Sequence, residues 1–384
     1  MRKDLIYLDH AAATPMDRRV VGVMQPYLTD LFYNLSSPYA PAVAVRRDYE
    51  DAKKKLANLI GGKPGEIIIT AGATESINLA FNGVAGHIVV SDIEHHAVLN
   101  SAKYHNHSIV AVDERGFVSA EIIKAAITPD TRLVSVALAN NELGTIQPLR
   151  DIAFIIKTER EARLMRGDTT PIYFHSDASQ GVGQLDVNVA RLGVDLLTLN
   201  AGKMYGPKQV GLLWAASHVK LNPQIIGGGQ ERGLRSGTEN VAGTIGFAKA
   251  LELVSEHRKF ESERLTKLRD NLQTVLTDAF PNAIISGHIK HRLAGHLHIS
   301  FPGIDGERLI FILENRGVLV ATGSACAANR GSKSHVLDAI GMSDDLANGS
   351  IRITLGHLND EKNIKLAGKI MIEEIIKEYA RLKK

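Results

Sequence analysis

The sequence predicts an α/β protein: a large domain with a mainly parallel sheet sandwiched by helices, followed by a small C-terminal α+β domain. Three observations carry this. Short β-branched runs alternate with segments of helical period through the first half of the chain. The alternation stops at about residue 238, where one long helical stretch begins. It resumes from about residue 285 in shorter pieces.

In the first half, strands are expected at 67–70, 88–90, 109–112, 133–137, 173–175 and 196–199, with helices at 75–82, 119–127 and 149–163. Strand and helix in turn at this spacing make βαβ units, whose strands run parallel beneath helices. Residues 241–280 form the long helix, since Leu265, Leu268, Leu272 and Val275 recur at steps of 3, 4 and 3. Strands at 296–301, 318–321 and 350–354 and a helix at 307–315 follow. The closing helix carries Ile364, Ile372, Ile375, Ile376 and Tyr379, and its lysine-rich end suits the helix dipole. The expected division is a large domain over 15–250 and a small one built from 1–14 and 251–384. There are no repeats or long linkers.

With 384 residues, 44% of them hydrophobic and 23% charged, the chain can bury a sizeable core. A net charge of +3 gives no reason to expect a nucleic-acid or membrane-surface partner. No apolar run approaches the roughly 20 residues that span a bilayer, and the first residues lack the apolar stretch of a signal peptide. The single cysteine, Cys326, excludes an internal disulfide and fits a reducing compartment. A cytoplasmic protein is the expectation.

In sheets of this kind ligands bind beyond the carboxyl ends of the strands. Four turns there bear glycine. Thr70-Ala71-Gly72-Ala73-Thr74 opens a helix, where free N–H groups favour an anion such as phosphate; an ordinary tight turn uses the same residues. It matches neither G-x-G-x-x-G nor the Walker A pattern. Asp177, just past a strand, could hold a cationic ring nitrogen or simply cap a helix. Lys203, in Asn200-Ala201-Gly202-Lys203, is placed to form a Schiff base if its turn is dry, although most lysines are solvated surface charges. The run 227–238, with three consecutive glycines and two arginines, suits an anion loop, a subunit boundary or a flexible surface loop.

Cys326 lies among small and polar residues with Arg330 and Lys333 nearby, a setting that favours its thiolate, whereas most lone cysteines are inert buried hydrophobes. His95-His96, His105, His107, His296 and His298 show no zinc spacing, so no metal is expected; alternation puts His296 and His298 on one strand face.

Taken in order, these pieces resemble the cysteine desulfurases of the class V aminotransferase family, the NifS and IscS type. The resemblance runs from Tyr7-Leu8-Asp9 and Ala11-Ala12-Ala13-Thr14-Pro15 through Gly72-Ala73-Thr74-Glu75-Ser76, Glu94-His95, Asn140-Asn141-Glu142-Leu143-Gly144 and Asp177-Ala178-Ser179-Gln180. It continues through Lys203-Met204-Tyr205-Gly206-Pro207-Lys208, Arg235-Ser236-Gly237-Thr238, Gly323-Ser324-Ala325-Cys326 and Ser350-Ile351-Arg352.

The resemblance implies the pyridoxal-phosphate fold type I, a homodimer, and conversion of L-cysteine to L-alanine with sulfur passed to Cys326 and on to an acceptor protein. Such an acceptor would serve iron–sulfur cluster, thio-cofactor or tRNA thiolation chemistry. Lys203 would carry pyridoxal 5'-phosphate, Asp177 would pair with its ring nitrogen, and His95 would stack on the ring and shuttle protons. Gln180 would meet the ring hydroxyl, and Ala73, Thr74 and the partner subunit's Thr238 would hold the phosphate. Arg352 would clamp the substrate carboxylate, with Asn34 and Asn141 beside it.

Two departures stand out. The family usually has Ser-x-His-Lys where this chain has Asn200-Ala201-Gly202-Lys203, so Asn200 alone offers a side chain to the phosphate and weaker cofactor retention is expected. Tyr33 and Leu35 likewise replace a usual glycine and proline around Asn34. The alternatives are another class V enzyme, such as an aminotransferase or selenocysteine lyase, and a non-enzymatic assembly partner.

Overall fold

Each apolar run assigned to a strand falls on a strand in the computed structural model of the chain, which describes residues 5–323 and 334–383. The strands are β1 (Ile6–Tyr7), β2 (Ile67–Thr70), β3 (His87–Ser91), β4 (His107–Val110), β5 (Thr131–Ser135) and β6 (Tyr173–Asp177). After them come β7 (Leu196–Asn200), β8 (Gly211–Ala215), β9 (Ile284–Ser286), β10 (His296–Ser300), β11 (Val318–Leu319) and β12 (Ser350–Thr354). Among the described residues the main sheet has seven strands in the order β2-β8-β7-β6-β5-β3-β4. Only β8 runs against the rest.

Several boundaries and elements differ from expectation. β4 covers 107–110 and not 109–112: as the edge strand it pairs only with β3 and begins on the polar His107 and Ser108. β5 covers 131–135 and not 133–137, because Thr131, although polar, is fully buried and bonds the His87 ring at 2.8 Å. β11 ends at Leu319 and not at 321. β8, wholly buried between β2 and β7, went unassigned, as did the helix Ala40–Ile60. That helix buries Val45, Tyr49, Ala52, Leu56 and Ile60 at helical spacing and ends on Gly61 in the left-handed conformation.

The long helix, Val241–Ala279, has 39 residues and is therefore about 58 Å long. Its first part gives Phe247, Leu251 and Val254 to an apolar core that fills the main sheet and its helices. Its second part gives Leu265, Leu268, Leu272 and Leu276 to another core, shared with Leu8, Leu297, Ile299, Ile351, Ile353 and Ile375.

β10 lies antiparallel between β9 and β12. Strand alternation divides this small sheet sharply. Leu297, Ile299, Ile351 and Ile353 enter its core, while His296, His298, Ser300, Ser350, Arg352 and Thr354 occupy the other face, also buried. Among the described residues no helix is long and apolar enough to cross a membrane.

Candidate active site

β2, β3, β5, β6 and β7 point the same way, so the segments leaving their carboxyl ends meet on one side of the sheet. After β2 the chain passes through Gly72 at φ 137°, a conformation essentially reserved for glycine, and enters the helix Ala73–Asn82. No side chain caps that helix, so the N–H groups at its start are available to an anion. Glu75 braces the turn: it accepts from the Ala71 N–H at 2.9 Å and pairs with Arg235 at 2.8 Å.

After β7 the Asn200 carboxamide oxygen accepts from the Gly202 N–H at 3.0 Å and closes a single 3₁₀ turn, Ala201–Lys203. Thr14 locks this turn, donating to the Gly202 carbonyl at 3.0 Å and accepting from the Tyr205 N–H at 2.9 Å. Lys203 then reaches across to the N-terminal segment, where its Nζ donates to the carbonyls of Ala11 and Ala12, each at 2.7 Å. Gln180 donates to the same Ala11 carbonyl at 3.1 Å.

A cavity of about 300 Å³ gathers Ala73, Thr74, His95, Asn141, Asp177, Gln180, Asn200, Lys203 and Arg352. Asp177 ends β6, and its carboxylate accepts from the Ser179 N–H at 2.9 Å. Two expected residues do not line this cavity: Asn34 and Thr238 are both exposed on their own chain, and Asn34 accepts from the Ser36 N–H. Cys326 lies outside the described residues. The residues flanking that stretch, Gly323 and Ser334, both abut Glu142. Ser334 donates to its carboxylate at 2.6 Å, and a methyl group at Gly323 would stand 2.9 Å from the same oxygen.

Burial sets the charge states. His95 has its pKa lowered, chiefly by desolvation and further by Lys203, against the pull of Asp177. Its Nδ1 accepts from the Ala97 N–H, which places the proton of the neutral ring on Nε2. Arg352 is 2% exposed and donates to Asp9 at 2.7 Å and to the Asn141 carbonyl at 3.2 Å. Its Nε is buried and has no partner. Glu142 is held toward its neutral acid form by burial, with Ser334 and Arg352 pulling the other way. Glu94, wholly buried, is pushed up to about 8 by desolvation and accepts from Ser91 and the Ala137 N–H.

Glu142 and His335 line the cavity without having been given a role from the sequence. His335 contacts the Glu94 carbonyl at 2.9 Å and packs on the His96 ring at 4.5 Å. Neither lies at a turn that spacing marks; Glu142 is drawn in by Ser334, 192 residues away. Among the described residues no group of three or more His, Cys, Asp or Glu converges as metal ligands do.

The cavity thus presents an uncapped helix start, a carboxylate, a buried guanidinium and an amine held by two carbonyls. The aminotransferase class-V family model matches residues 6–366. The cysteine desulfurase IscS of Dictyoglomus turgidum is 42% identical over 91% of this chain and 89% of its own. The cysteine desulfurase IscS 1 of Archaeoglobus fulgidus is 40% identical over 93% and 94%. A solved structure described as a NifS-like protein superposes with a TM-score of 0.87 at 34% identity, covering 97% of this chain and 99% of that one. The family model runs through every segment of the cavity, and the chain belongs to the aminotransferase class-V family.

Proposed function

We propose that the protein is a pyridoxal-phosphate-dependent cysteine desulfurase, which converts L-cysteine to L-alanine and passes the sulfur through Cys326 to an acceptor protein for iron–sulfur cluster or related thio-cofactor synthesis. The observation that carries this is the meeting of Lys203, Asp177 and the uncapped helix start at Ala73 in one cavity. The donor set fits the cofactor: an amine for its aldehyde, a carboxylate for its ring nitrogen and open N–H groups for its phosphate. When bound, pyridoxal phosphate supplies an electron sink that acidifies the substrate's α-C–H.

The chain's own residues do the rest. Lys203 takes and returns the α-proton, and His95, neutral at pH 7, shuttles a proton through its imidazole. Arg352 receives the substrate carboxylate through the donor that Asp9 and Asn141 leave unused, with the Asn141 side chain beside it. The thiolate of Cys326 would attack the substrate sulfur; an S–S bond forms as the C–S bond breaks, the bonding pair goes to the substrate β-carbon, which takes up a proton to become alanine's methyl group, and a persulfide is left on the enzyme.

Thr238, exposed on its own chain, contributes to the phosphate site of a second copy in a homodimer, and Asn34 approaches the substrate from its exposed loop. The division we propose, 15–250 against 1–14 with 251–384, cuts the long helix just before Leu251 and Val254, which still pack in the first core. Alanine formed from cysteine, assayed with and without added pyridoxal phosphate, tests the reaction. Cys326→Ala should keep the cofactor and lose sulfide release; a variant that still releases sulfide contradicts the persulfide route.

A further inference from the structure

Lys203 borders a second cavity, of about 50 Å³, which shares Ala11, Gln180 and Lys203 with the first. Its other walls include His10, His296, Tyr205, Glu261 and His357. Two imidazoles there are buried without full partners. His10, 6% exposed, gives its Nδ1 to the Thr354 carbonyl at 3.1 Å and leaves Nε2 with no partner. A carbonyl only accepts, so Nδ1 carries the proton and Nε2 is a bare acceptor. His296, 2% exposed, has a partner at neither ring nitrogen.

Buried polar atoms without protein partners are normally served by ordered water, and one water needs only about 10–15 Å³ of such space. The cavity has both the room and the polar groups. Burial also holds both rings neutral, His10 near about 4 and His296 near about 3, so they bind water without competing for its proton. At the far end of the lining, His357 stands 3.7 Å from the Glu261 carboxylate and stacks on Tyr205 at 3.9 Å, with 36% of its side chain exposed.

We infer that this chamber is a water site serving Lys203: waters held by His10 Nε2 and by His296 join the amine to solvent near His357 and Glu261, and the lysine exchanges its protons along them. Each transfer moves a proton from the ammonium to a water oxygen while that water releases one of its own to the next. The imidazoles act as hydrogen-bond partners and gain no charge, which makes His10 and His296 positioning residues. The inference rests on reading Lys203 as the catalytic amine, but the chamber's hydration can be observed without the reaction.

Two measurements test it. A high-resolution crystal structure of the cofactor-free protein should place ordered water within hydrogen-bond distance of His10 Nε2 and His296; a dry chamber overturns the inference. Exchange of the α-proton of L-alanine with D₂O, followed by NMR on protein loaded with pyridoxal phosphate, should slow at least about tenfold in His296→Leu and recover in His296→Gln at equal cofactor content. Exchange at the unmodified rate in His296→Leu overturns it as well. His10→Leu provides a second variant should the first fail to fold. If the unmodified protein exchanges no α-proton at all, the reading of Lys203 fails, whereas the water in the crystal still reports on the chamber.

Discussion

Gly202, buried in its turn, would accept a Cβ without a clash. A Cβ built there would meet nothing nearer than the Asn200 carboxamide oxygen at 3.4 Å and the Lys208 Cγ at 3.6 Å, both ordinary contacts. Asn200 has its oxygen committed to the Gly202 N–H. Gly202→His should therefore tighten pyridoxal-phosphate binding by about tenfold, the worth of one hydrogen bond to a charged phosphate. Cofactor absorbance retained through dialysis measures this, and unchanged retention counts against it.

Glu94 gives a pH prediction. Its carboxyl titrates at about 8 in the folded protein, while an unfolded one ionises near about 4.3. Between those values the native state binds the extra proton, so stability falls as pH rises toward 8 and then levels. Glu94→Gln should remove that slope, and its Tm relative to the unmodified protein should be more favourable at pH 8 than at pH 5. A difference that is the same at both pH values contradicts the assignment. Lys203 and Asp177 were legible because each pairs a reactive group with a strand end, whereas Arg352, in the middle of β12, was named only through the family resemblance. Glu142 and His335 were not legible, since chain far away in sequence brings them to the cavity.

At the scale of elements, the turn at Gly72 is the piece whose backbone does the most for the site. At φ 137° an alanine is strained by about 1–3 kcal/mol. Gly72→Ala should lower the urea midpoint at constant slope and weaken cofactor binding together, because relaxing the strain moves the open N–H groups. Loss of stability with unaltered cofactor affinity would show that those groups do not bind the phosphate.

The alternating elements were legible from period, because their apolar residues face one core. β8 was not: Gly211–Ala215 is as fully buried as β2 and β3, but Gly-Leu-Leu-Trp-Ala contains none of the β-branched residues that marked those runs. The helix Ala40–Ile60 escaped for a different reason. Its apolar stripe is interrupted by Lys53, which is buried against Glu231 at 3.0 Å where a lysine is ordinarily a surface charge.

In the whole molecule the site is a seam. Lys203, Asp177 and Thr74 stand on the main sheet, whereas Arg352 stands on the small one and is joined to Asp9 from the N-terminal segment. The sequence showed both sheets by their spacing, but not that the face of β10 and β12 carrying His296, His298 and Arg352 is buried, since a polar face ordinarily reads as solvated. That burial leaves Arg352 and the two histidines short of partners and creates both the carboxylate site and the chamber behind Lys203. The account depends above all on which amine takes up the cofactor. Protein loaded with pyridoxal phosphate, reduced with borohydride, digested and mapped by mass spectrometry, should carry the label on Lys203. Label on another lysine, or on none, would contradict it.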